Sequence, residues 1–126
     1  MDRLGLGPEA FEDLVRQLDM IVDEEGGLWE PLQPSTTVFT DRVEQHGPWS
    51  FEACSQVLLR WLEAGFIGLQ RIPSPGAEPL ILDAHETQAL LSDPTVWRPE
   101  LGLYLFPTER GARSDVASWR DALAED

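Results

Sequence analysis

Few side chains in this sequence have types and spacings suited to chemistry. Cys54 and His46 are of the kinds that serve as nucleophile and base, Asp83, His85 and Glu86 are metal-ligand types in near succession, and Glu24-Glu25 is a carboxylate pair. Each has a simpler reading. Cys54 falls on the apolar side of a helical pattern, where a thiol is an inert small hydrophobe. Positions i, i+2 and i+3 at a helix start do not converge on one ion, and Asp83 and Glu86 already fit a capping box. Carboxylates in a run after a helix form a solvated end. No glycine-rich phosphate loop, paired-cysteine motif or nucleophile elbow is present, so the sequence implies no metal and no cofactor, and the expectation is a protein that is not an enzyme.

What remains is charge. The 126 residues hold 23 acids against nine bases, a net charge of −14, and every base is an arginine. Avoiding lysine while using Arg, Ala, Gly and Pro is the habit of a GC-rich bacterial genome. Residues 1–30 carry nine acids and two arginines, −7 and half of the total. Such a field repels nucleic-acid phosphate and favours basic protein partners. The expected contacts are Asp19, Asp23, Glu24, Glu25 and Glu30, together with Trp29. This tryptophan lies in a connector near proline, as does Trp97, and tryptophan is enriched where interfaces concentrate their energy. The expectation is a protein-binding module, an adaptor or an immunity-type neutraliser of a basic protein.

One cysteine excludes an internal disulfide and suits a reducing compartment. The start MDRLGLGPEAFED has neither the basic residues nor the apolar run of a signal peptide, and no window approaches the ~20 apolar residues of a membrane span. The expected location is the cytoplasm.

Placing these residues requires elements. Gly7-Pro8-Glu9 opens a first helix with Phe11, Leu14, Val15, Leu18, Ile21 and Val22 on one face, stopped near Gly26-Gly27. Trp29 and Leu32 follow over the core. Ser35 or Thr36 caps a second helix running to about Gln45, with Val38, Phe39 and Val43 inward. Trp49–Ile72 is the clearest stretch. Ser50 is the N-cap, Trp49 a staple against Cys54, and Phe51, Cys54, Val57, Leu58, Trp61 and Leu62 form the buried face. Gly65 is the stop, and Phe66–Ile72 reads as a strand. Leu80-Ile81-Leu82 returns as its hairpin partner. Asp83 caps a short helix, Leu101–Phe106 is a covered strand, Pro107–Gly111 a turn, and Ser114 caps a last helix with Val116, Trp119, Ala122 and Leu123, after which Glu125-Asp126 frays.

Three helices followed by a two-stranded hairpin, over about residues 8–82, resemble the winged-helix family in the order of their elements. The resemblance implies one α+β domain, a three-helix core with a small antiparallel sheet, extended over about 83–126 by a helix, a strand and a C-terminal helix. It also implies DNA binding through the helix after Ser50, as a homodimer, with Gln56, Arg60 and Arg71 as contacts and Arg42 near enough to join a patch. The residues oppose this: the outward positions Glu52, Ser55, Gln56, Leu59, Arg60 and Glu63 sum to −1, where base readers need flanking cations. A DNA-binding transcription regulator is therefore the alternative to protein binding.

Overall fold

Apolar side chains three and four residues apart turn one face of the first helix, α1 (Pro8–Asp23), inward: Leu14, Val15, Leu18 and Val22 are buried. The computed structural model describes residues 4–124, so the expectation for Glu125-Asp126 lies outside the described residues. The helix does not wait for Gly26-Gly27 to end. Glu25 takes the left-handed conformation (φ 55°), its N–H donating to Val22 O at 3.0 Å, while Gly26 N–H reaches Ile21 O at 2.7 Å. These two bonds form a Schellman closure with glutamate where glycine is usual.

The segment expected as a second helix is instead a hairpin, β1 (Ser35–Val38) and β2 (Val43–His46), in antiparallel register from Ser35↔His46 to Val38↔Val43. The run Ser35-Thr36-Thr37-Val38, with Thr36, Thr37 and Val38 β-branched, suits an extended strand, and Thr40-Asp41 makes the turn, closed by Phe39 N–H on Arg42 O at 2.7 Å. Val38 and Val43, expected inward, are 74% and 61% exposed, and Phe39 is exposed beneath the Arg42 guanidinium. No helix-turn-helix therefore precedes the next helix. His46 fastens the hairpin to α1, its Nδ1 lying 3.0 Å from both carboxylate oxygens of Asp13.

Helix α2 (Phe51–Glu63) follows its expected pattern. Ser50 Oγ accepts from Ala53 N–H at 3.2 Å, and Cys54, Val57, Leu58 and Trp61 are fully buried. Gly65, at φ 80°, turns the chain into β3 (Ile67–Arg71). This strand is the centre of a three-stranded antiparallel sheet, with β4 (Leu80–Ile81) on one side and β5 (Leu103–Pro107) on the other. Between them α3 (Ala84–Leu91) starts on Asp83, which accepts from Glu86 N–H at 2.8 Å. Residues 26–28 close the outer edge of β5 through Leu28 N–H on Leu103 O and Leu105 N–H on Gly26 O.

The expected turn after β5 is a short helix, α4 (Glu109–Arg113), and the last helix, α5 (Val116–Asp121), is capped by Asp115 rather than Ser114. Asp115 accepts from both the backbone N–H and the hydroxyl of Ser118. Trp119 and Leu123 enter the core as expected, but Val116 is 65% exposed. Trp97 is also buried, its ring edge-on to Phe51 at 4.8 Å and its indole N–H on Leu90 O, so it offers nothing to a partner.

Gly111 allows α4 to lie against the start of the sheet, since a Cβ there would sit 2.1 Å from Phe66 O. Gly111→Ala is expected to cost at least about 2 kcal/mol in urea unfolding, as overpacking against rigid backbone does. Gly7→Ala, where a Cβ meets open space, should change stability by less than about 1 kcal/mol.

Candidate functional site

The carboxylates singled out in the sequence gather at the C-terminal end of α1 and fan onto three sides of it. Asp19 and Asp23, one helical turn apart, look into a cleft of about 130 Å³ walled by Val22, Gly111, Ser114, Val116 and Trp119. Glu24 and Glu30 line a groove of about 280 Å³ that runs between α1 and β1. Glu25 turns to the sheet, where Gln70 Nε2 donates to it at 3.3 Å. Glu30 Oε2 accepts from Gly27 N–H, which folds the connector back on itself. Trp29 is half-buried, its ring over Gly27 and edge-on to Tyr104 at 5.3 Å.

Among the described residues none of Asp19, Asp23, Glu24, Glu25 or Glu30 forms an ion pair. The acids elsewhere that do so include Glu12 with Arg120, Asp13 with Arg16, Asp41 and Glu44 with Arg42, and Glu109 with Arg113. The helix dipole places its negative pole at this same end, which disfavours each nearby carboxylate by ~0.3–1 kcal/mol. Burial pushes the Asp19 carboxyl above its ordinary value of 3.8; the Asp23 charge adds to the rise, and Arg120 opposes it. Apart from this partial offset by Arg120, the negative charges gathered at this end have no ion-pair partner among the described residues.

The other candidates separate. Cys54 is buried in the core and its thiol is pushed up to about 12 by loss of water, leaving no nucleophile at neutral pH. Asp83 serves as a cap, and among the described residues no three His, Cys, Asp or Glu side chains come together to hold a metal ion. On α2, Gln56 and Arg60 do share a shallow depression with Leu59 and Glu63. Ser55, expected outward beside them, is buried and donates to Leu91 O at 2.7 Å, because α3 covers that side of the helix. Arg71 is exposed on β3, and Arg42 is held at the hairpin tip by Asp41, Glu44 and Phe39, so among the described residues no contact joins these arginines into one patch.

The sequence reading missed the groove beside β1. It is lined by Met20, 46% exposed, with Ile21 and Pro31, and on the β1 side by Ser35-Thr36-Thr37. Trp49, expected to face the core, is half-buried at this rim. The signal was the Ser-Thr-Thr-Val run and its Thr40-Asp41 turn. No protein-family model matches the chain, and neither a curated protein nor a solved structure matches it. Among the described residues no helix is long and apolar enough to cross a membrane.

Two substitutions test the costs at this helix end, one of backbone conformation and one of charge. Glu25→Gly relieves the left-handed backbone and should stabilise the protein by about 0.5–1 kcal/mol in urea unfolding. A carboxyl whose pKa is raised by folding disfavours the folded state above that pKa, and the penalty fades as pH falls to the unfolded value. Asp19→Asn should therefore raise the urea midpoint at pH 7, with the gain gone by about pH 3.5.

Proposed function

We propose that this protein is a non-catalytic binding module whose acidic helix end, Asp19, Asp23, Glu24, Glu25 and Glu30 with Trp29 alongside, receives a basic protein. One observation carries the reading: among the described residues these carboxylates share one helix end without an ion-pair partner, while the arginines that do pair, Arg16, Arg42, Arg113 and Arg120, hold other acids. Charges that repel one another and face a like-signed helix pole persist against their own cost to stability. A cationic partner removes that cost on binding and gains long-range attraction in approaching. Glu25 supports the same reading, since a side chain held at φ 55° beside an available glycine trades stability for the position of its carboxylate. The partner class is a basic protein that an adaptor recruits or an immunity-type neutraliser masks.

The test is a tagged pull-down from the native host at low and moderate salt, with and without nuclease. The expected result is a stoichiometric basic protein that survives nuclease, weakens with salt, and is retained at least ~10-fold less by the Asp23→Lys, Glu24→Lys, Glu25→Lys variant. Recovery of an enriched DNA fragment that Arg60→Ala loses would instead establish the regulator reading.

A further inference from the structure

The hairpin has an edge that no strand covers among the described residues. Strand β1 pairs only with β2, and no other described strand lies beside it. The direction of its backbone groups follows from the turn. Phe39 and Arg42 are a hydrogen-bonded pair, so by the alternation of an antiparallel ladder Val38↔Val43 and Thr36↔Gln45 are not. The N–H and C=O groups of Thr36 and Val38 therefore point away from β2. Those of Thr36 point at the groove and those of Val38 continue the same edge beyond it: three consecutive residues, Ser35, Thr36 and Thr37, line the groove, which a strand achieves with its edge, since a face shows only every second side chain. Natural sheets guard such edges with lysine, bulges or a covering element. Here the only guard is Pro34 at the strand's entry, and residues 33–39 carry no charge.

We infer that the groove between α1 and β1 takes an extended segment of the partner protein bearing lysine or arginine, which joins the hairpin as a third strand. This rests on the acidic protein-binding reading and names the structure the partner must present. The backbone of the incoming strand pairs with Thr36 and Val38. One set of its alternating side chains lies over Met20, Ile21 and Pro31, and a cation reaches Glu24 and Glu30 at the groove wall, where no basic residue of this chain is present. A second copy is a poor occupant, because its own β1 brings no cation to those carboxylates and each copy carries −14.

The probe is an end-capped hexapeptide of alternating lysine and valine, titrated into the ¹⁵N-labelled full chain, beside a glutamate–valine peptide and two lysine–valine peptides N-methylated on odd or on even residues. The lysine–valine peptide is expected to shift and protect the Thr36 and Val38 amides, and the glutamate peptide to have no effect. Methylation in one of the two phases should weaken binding by ~10-fold or more, Thr36→Pro similarly, and Glu24→Gln by ~3-fold. Thr36→Pro keeps the β1–β2 ladder because the lost N–H faces away from it, and the methylated peptides test the same bonds with the protein unchanged. If both methylated peptides bind as the parent does, strand addition is wrong, while charge-reversal loss in the pull-down would leave the acidic reading intact. Absence of probe binding, or a dimer that Thr36→Pro abolishes, would likewise overturn the proposal.

Discussion

A buried indole needs an acceptor, and that requirement at Trp61 sets the arrangement of half the molecule. Its N–H donates to Trp119 O at 2.9 Å, and the two rings meet edge to face at 4.9 Å, which fixes α5 against α2. The indole of Trp119 is also buried and needs its own acceptor, which it finds at Gly111 O, 3.2 Å away. Gly111 can bring that carbonyl close only because it has no side chain to strike Phe66 O. Through this relay the core of α2 positions α4 and α5, and with them the wall of the cleft into which Asp19 and Asp23 look.

The two ends of α1 are electrostatically different. Along its first half Glu12 holds Arg120 of α5, and Asp13 holds His46 of the hairpin. These contacts cross between elements and help orient them, although exposed pairs of this kind contribute only ~0–1 kcal/mol each. Along the second half no acid has an ion-pair partner among the described residues, and the charge of Arg120 only partly offsets the cost at Asp19. Burial of Asp19, the charge of Asp23 and the helix dipole act in the same direction there, so folding concentrates a negative potential at the end of α1 instead of dispersing it. The hairpin, anchored by His46, lays β1 beside that end, which places a free backbone edge and an acidic wall on opposite sides of one groove.

The elements that could be read from the residues were those whose burial pattern is carried by one segment alone. The stripes of α1 and α2, the Ser50 and Asp83 caps, the Gly65 stop, and the β3–β4 hairpin all appear in the structure. Residues 35–46 could not be read in this way. Val38, Phe39 and Val43 fit a helical face, and assuming that apolar side chains point inward favoured that choice, whereas in the fold they stay in solvent. Val116 failed for the same reason, as it lines a cleft rather than the core. Trp97 failed in the opposite sense: its connector looked exposed, but Phe51 and Leu90 close over it.

By itself the sequence determined the α+β class, most of the core, the segments that bear it, and the concentration of acid in the first thirty residues, because composition, helical period and capping chemistry are local properties. Only the tertiary structure decided which of those acids remain unpaired, since that depends on where nine arginines from distant segments come to rest. It alone also decided that residues 35–46 pair as strands and that β1 opens onto α1. The energy of a hairpin edge or a groove wall lies in neighbours that no single segment contains.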